Sequence, residues 1–189
     1  MRRSGGHVTF SRISRVLTAD AIASIVFATY WLHMRGERMA QHAVERDIWI
    51  AAPRERVWQA ITDPVQMEQW FSPGTAWQMP ALEVGGKLFT RDPQTGAELY
   101  TQIIQHVDPP QHFAIQTLPD ASGAYQVTAY ALRAEGQGTR LTVTYTAHGD
   151  SAPADWENLS QQHAVGFGMM LENVKAHVEG NTLPYPQGF

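Results

Sequence analysis

Four histidines, a set of large aromatics and one pair of adjacent glycines are the residues whose types could do chemistry. His106, His112, His148 and His163 are candidate metal ligands or acid-base groups near neutral pH. No pair has the close helical or strand spacing common in metal sites, and nothing local gathers three of them, so no metal is expected. His163 sits in a run of apolar residues at helical spacing. It is read as a part-buried, hydrogen-bonded histidine, and as the first polar group that would meet a ligand's carbonyl or acid. Trp70, Phe71, Trp77, Tyr130, Tyr145 and Phe167 could line a pocket, with the tyrosine hydroxyls orienting a mainly apolar molecule. Taken singly, each of these rings reads as packing.

Other chemistries lack a foothold. Gly85-Gly86 precedes a strand, not a helix, and has no lysine-serine or third glycine, so it reads as a bulge or bend that lets a sheet curl, not as a phosphate loop. There is no Gly-x-Ser-x-Gly elbow and no local pairing that nominates a base. Asp92, Asp108 and Asp120 fall in turns, where a carboxylate ordinarily holds the backbone. The chain has no cysteine, which removes disulfides, thiolate nucleophiles and Cys-based metal sites. A net charge of −4 and a pI near 6.0 remove the general attraction to phosphate, so nucleic acid is not an expected partner.

The elements that must position the candidates are legible from periodicity. From Val44 to Ile50 the pattern alternates, as in a strand. Ala52-Pro53 then opens a short helix carrying Val57, Trp58 and Ile61, which Asp63-Pro64 stops, and Val65 to Trp70 forms a second. Strands are predicted over Ala76 to Met79, Lys87 to Arg91, Glu98 to Val107, His112 to Leu118, Tyr125 to Ala134 and Thr139 to Ala147. Short dividers rich in Gly and Pro make their neighbours antiparallel. Thr128, Tyr130 and Leu132 share one face, as do Leu141, Val143 and Tyr145. The strongest helix starts near Ser151-Ala152-Pro153. It carries Trp156, Leu159, His163, Phe167, Met170, Leu171, Val174 and Val178 on one stripe and stops at Gly180-Asn181. With 189 residues, 43% apolar and 17% charged, one domain is expected. An α+β fold, with a curled antiparallel sheet of six or seven strands around the long C-terminal helix and two short helices after strand one, buries these faces.

Residues 1–38 read differently. Arg2, Arg3, Arg12 and Arg15 precede an apolar run, Ala21 to Leu32, that is too short to span a bilayer and is followed by no small-x-small cleavage site. A signal or membrane anchor is the alternative reading; we read the segment as translated leader before a start at Met39, since Gly36-Glu37-Arg38 is what a purine-rich ribosome-binding sequence would encode in frame. The folded domain is then expected over 43–182, with a tail at 183–189. No stable membrane insertion is expected, and the protein is placed in the cytoplasm.

Taken in order, several motifs resemble the START-like helix-grip superfamily, and within it the bacterial homologues of the Hsp90-ATPase activator's C-terminal domain. They are Ile50-Ala51-Ala52-Pro53 with Val57-Trp58-Gln59-Ala60-Ile61-Thr62-Asp63-Pro64, Gln69-Trp70-Phe71, Val84-Gly85-Gly86 and Val107-Asp108-Pro109-Pro110. Gly138-Thr139-Arg140-Leu141-Thr142-Val143 and Gly166-Phe167 before the Met170 to Val178 helix complete the set. The resemblance implies a largely apolar cavity between the long helix and the sheet, lined by Trp70, Phe71, Trp77, Thr128, Tyr130, Leu132, Val143, Tyr145, His163, Phe167 and Met170. It implies a small hydrophobic ligand without a cofactor. A cofactor-free cyclase or dehydratase using the same cavity, with His163 or a tyrosine as the acid-base residue, is the second expectation. A chaperone-linked or stress-response interaction protein is the third. The eukaryotic co-chaperone grips Hsp90 largely through a separate N-terminal domain for which this chain leaves no room, so an Hsp90-type chaperone is not an expected partner. A homodimer is among the expected assemblies.

Overall fold

Apolar residues alternating along short segments, divided by tight reversals, should pair into a sheet with one buried face. The computed structural model describes residues 42–149 and 156–188. Its elements are β1 (Ala43–Ile50), α1 (Arg54–Thr62), α2 (Pro64–Trp70), β2 (Lys87–Arg91), β3 (Glu98–Asp108), β4 (His112–Thr117), β5 (Tyr125–Glu135), β6 (Gly138–His148) and α3 (Trp156–Glu179). The six strands form one antiparallel sheet in the order β1-β6-β5-β4-β3-β2. This is the α+β helix-grip arrangement, with α3 packed along β1. The expected leader at 1–38 and the expected helix start near Ser151 both lie outside the described residues.

The two short helices follow from their proline and aspartate positions. Pro53 stands just before α1, one residue earlier than the first helical position expected for it, and its carbonyl accepts from Val57 N–H at 3.3 Å. Asp63 caps α2 by accepting from Val65 N–H at 3.0 Å, with Pro64 following where a missing N–H costs nothing. Between α2 and β2 the expected strand at Ala76 to Met79 reduces to one bridge, Gln78 to Phe89. Pro80 follows at once and has no N–H to carry the ladder further.

The bend expected at Gly85-Gly86 is a turn leading into β2 and not a bulge within a strand. Gly85 has a φ of +85° and donates to the Ile104 carbonyl, while a Cβ on Gly86 would lie 2.6 Å from the Ala81 carbonyl oxygen. The bulges fall on β3. Tyr100, at φ +51°, and Thr101 together face Phe89 of β2, and a second register shift separates Ile104 from His106. Each extra residue bends its strand and deepens the local twist, so these positions curl the sheet around α3.

On the inner face, Thr128 lies opposite Tyr145, Tyr130 opposite Val143, and Leu132 opposite Leu141, with Phe113 and Ile115 next to Tyr130 and Thr128 on β4. The core joins this face to Val57, Trp58 and Ile61 of α1, Met67 and Trp70 of α2, and Met170, Leu171, Val174 and Val178 of α3. Each such side chain contributes roughly 1.5–3 kcal/mol when fully removed from water. Burial along α3 is graded. Its buried residues are Met170, Leu171, Asn173, Val174, Ala176 and Val178, all in the C-terminal half, whereas the turns from Trp156 to Met169 are part-buried or exposed.

The C-terminal half is also fastened by polar contacts. Lys175 Nζ donates to the Trp49 carbonyl at 2.9 Å, and Glu179 accepts from Ala51 N–H at 2.8 Å. Asn173, with no exposed surface, donates to the carbonyls of Trp70 at 3.0 Å and Tyr185 at 2.8 Å and accepts from Tyr185 N–H at 3.0 Å. One amide thereby ties the end of α2, the C-terminal half of α3 and the C-terminal tail together.

Candidate ligand site

The part-exposed half of α3 brings His163 and Phe167, four residues apart on one face, over Tyr145 of β6. The rings of Tyr145 and His163 stack at 4.3 Å with planes 22° apart, and Phe167 lies 5.8 Å from Tyr145 and 6.3 Å from His163. Trp156 stacks on Tyr145 at 6.5 Å, and His42 meets Trp156 edge-on at 4.7 Å. Together they form an aromatic group at the end of the helix-sheet interface where α3 is least buried.

Within this group the imidazole is oriented. His163 Nδ1 lies 2.8 Å from the Leu159 carbonyl, and because a carbonyl only accepts, Nδ1 carries the proton. That leaves Nε2 as the nitrogen a ligand could meet. Burial pushes the Tyr145 hydroxyl above its ordinary pKa, so it stays protonated and able to donate.

Deeper along the interface, Tyr130 is buried, and burial holds its pKa far above the usual tyrosine range. Its hydroxyl donates to Met170 Sδ at 3.9 Å, a weak acceptor, and its ring stacks on Phe113 at 6.1 Å. Leu132 and Val143 are buried on the same sheet face, while Thr128 is part-buried opposite Tyr145.

The other predicted aromatics form a separate group. Trp70 is almost wholly buried and its Nε1 donates to the Ala60 carbonyl at 2.8 Å, which makes it a core anchor between the short helices. Phe71 sits 5.6 Å from Trp70 and 5.6 Å from Trp77. Sequence reasoning placed Trp156 on the helix stripe without assigning it to the site, and missed His42 and Asn173. An asparagine inside a helix reads as solvent-facing, although its position between Met170 and Val174 on the apolar stripe was an available signal.

Two surface grooves lie elsewhere. One of about 410 Å³ is lined by Asn158, Gln161, Gln162, Val165, Gly166 and Met169 on α3, and one of about 250 Å³ runs between the start of β1 and α3 at Ser160, Gln161 and Ala164. Neither is lined by the predicted inner set. Among the described residues, no three His, Asp or Glu are grouped to hold a metal, and no helix is long and apolar enough to cross a membrane. His106 and His112, 6.3 Å apart, lie on the sheet face opposite Phe113, and His148 stacks on Tyr125 at 4.9 Å.

A family model described as Activator of Hsp90 ATPase homolog 1-like protein matches residues 51–179, the span from the end of β1 to the end of α3. The chain belongs to this family. Among solved structures, this Hsp90-activator-like chain is similar to CalU16 from Micromonospora echinospora, at 23% identity and a TM-score of 0.54, covering 72% of this chain and 75% of that one. It is also similar to DynU16, a protein of the dynemicin biosynthetic locus, at 20% identity and a TM-score of 0.58, covering 79% of this chain and 50% of the other. The Aha1 dimer from Colwellia psychrerythraea matches at 15% identity and a TM-score of 0.54, covering 72% of this chain and 96% of the other. At these identities the likenesses show the helix-grip fold of this Hsp90-activator-like member. No curated protein matches it.

Proposed function

We propose that the protein binds a small, mostly apolar molecule between α3 and the inner face of the sheet, entering at Tyr145, His163 and Phe167. The observation that carries this reading is the graded burial of α3. Its C-terminal half is locked into the core, while the half bearing His163 and Phe167 is itself only part-buried and lays its aromatic faces over the buried Tyr145. Apolar burial at roughly 25 cal/mol per Å² would supply most of the affinity, and His163 Nε2 and the Tyr145 hydroxyl the orientation. The placement of DynU16 in a biosynthetic locus supports a small-molecule role for this fold.

A second reading is a cofactor-free acid-base reaction of cyclase or dehydratase type in the same place. It is favoured by the anchored imidazole, whose Nδ1 proton is engaged by Leu159 so that Nε2 is the basic nitrogen. We read the protein as cytoplasmic, with the functional domain over 43–182. The Colwellia dimer makes a homodimer the assembly to test.

Titration of the full chain with the anionic aromatic fluorophore 1-anilinonaphthalene-8-sulfonate, whose ring system reports apolar surroundings, tests the reading. Saturable one-to-one binding that changes at least fivefold in Phe167→Ala or Tyr145→Ala is expected. Binding that both variants leave unchanged would move the ligand elsewhere.

A further inference from the structure

A glycine inside a helix is ordinarily accounted for by a close neighbour or a positive φ, because alanine would otherwise make the helix firmer. Gly166 and Gly168 of α3 have neither. A Cβ built on either would meet nothing within 4 Å beyond its own stretch of helix, and neither has the positive φ found at Gly180, just past the helix end. The fold has room for alanine at both positions and forgoes it. Two such residues flanking Phe167 lower the cost of bending the backbone there.

Their place coincides with a change in how α3 is held. From Met170 onward the helix is buried and fastened by Asn173 to Trp70 and Tyr185, by Lys175 to the Trp49 carbonyl and by Glu179 to Ala51 N–H. Lys175 and Glu179 also pair with each other one turn apart. Before Gly166 the side-chain bonds of Ser160 to the Glu157 carbonyl, Gln162 to Asn158 and His163 to the Leu159 carbonyl run within the helix itself. No Asp, Glu, Lys or Arg stands between Glu157 and Glu172, so these turns carry none of the charged groups that staple the other half. Ring contacts of Trp156, His163 and Phe167 with Tyr145 hold this half to the sheet, and they separate without breaking a hydrogen bond.

We propose that Gly166-Phe167-Gly168 is a hinge, about which the turns from Trp156 to Val165 lift off Tyr145 to admit a ligand to the inner face of the sheet. The half from Met170 onward stays in place. The hinge takes its purpose, ligand entry, from the interior-binding reading above, and its position from the two glycines. Residues of this kind absorb backbone rotation while the surfaces they control part as units.

Gly166→Ala and Gly168→Ala, singly and together in the full chain, stiffen the hinge and replace no side chain of the aromatic group. Stopped-flow mixing with 1-anilinonaphthalene-8-sulfonate reads the consequence. Alanine favours the closed helix in the free and the bound protein alike, so association and dissociation should both slow. The expected factor is about fivefold in each single variant, equivalent to one glycine-to-alanine difference in helix propensity, with Kd kept within about twofold. A changed ligand contact would instead alter Kd, mainly through dissociation. Hydrogen exchange without ligand checks the hinge independently. The amides of Met169, Met170 and Leu171, whose helical bonds cross the glycines, should exchange about tenfold faster than those of Val174 and Val178, and the double variant should remove most of that excess. Unchanged binding rates with even exchange along α3 overturn the hinge and leave interior binding standing. Unchanged rates with weaker self-association of Gly166→Ala in sedimentation overturn it too, and give the glycines to contact with a second copy. If the fluorophore does not bind the wild type, interior binding falls and ligand entry through the hinge with it.

Discussion

The imidazole of His163 lies 4.3 Å from the ring of Tyr145, nearly parallel to it, and is held there by the Nδ1 contact to Leu159 one helical turn back. The pair joins the least buried part of α3 to the inner face of the sheet. We propose that ring contact supplies its stability contribution and that Nε2 supplies its polar contact to a ligand.

These two roles separate by substitution. His163→Phe keeps the stacked face and should leave unfolding stability within about 0.5 kcal/mol, whereas His163→Ala should cost about 1 kcal/mol, the usual worth of such a pair. Chemical denaturation of both variants measures the difference. Equal losses in the two would mean that the imidazole's hydrogen bond, not its face, is what the fold uses.

Phe167 and Leu171 lie one turn apart on α3 but differ in burial. Leu171→Ala should cost about 2–5 kcal/mol as a core truncation. Phe167→Ala, at a part-buried position over Tyr145, should cost about 1–2 kcal/mol, below the roughly 3–5 kcal/mol of a core phenylalanine, while changing probe affinity. Denaturant unfolding paired with probe titration checks both. A core-sized loss at Phe167 with unchanged binding would make it packing.

Asn173→Leu removes three hydrogen bonds at once and leaves the Trp70 carbonyl buried without its donor. A loss of about 2–4 kcal/mol is expected. Hydrogen exchange at the Tyr185 amide should accelerate more than at Val174, because the tail would be released while α3 persists.

The histidines give the pH dependence a sign. His112, His148 and His177 all have folded pKa values lowered chiefly by burial; Asp108 opposes the shift at His112, and Arg56 reinforces it at His177. Between the folded and unfolded values the unfolded chain binds more protons, so stability is retained above about pH 6.5 and lost as pH falls below it. Thermal unfolding from pH 8 to pH 5 should show this decline, and the triple variant His112→Gln, His148→Gln, His177→Gln should flatten it.

The sheet is readable because each reversal carries Gly, Pro or Asp and because β5 and β6 alternate, although β2 and β4 bury three consecutive residues each. Ala76 to Met79 has an alternating pattern too, but Pro80 ends its pairing after one bridge. That limit comes from backbone donors, which hydrophobic periodicity does not record. The juxtaposition of His163 and Phe167 was legible from their four-residue spacing, and Tyr145 from its place on the inner strand face. What periodicity could not supply was distance across elements. Trp70 and Trp77 read alike as aromatics, yet one indole is matched by Ala60 and the other by nothing within the described fold.

Native mass spectrometry of the full chain purified from its own host decides whether the helix-sheet interface holds a small apolar molecule. A stoichiometric adduct of a few hundred daltons is expected on the wild type and should be diminished in Phe167→Ala. A spectrum showing only the bare chain, under conditions gentle enough to keep it folded, would mean that the interface holds no such molecule.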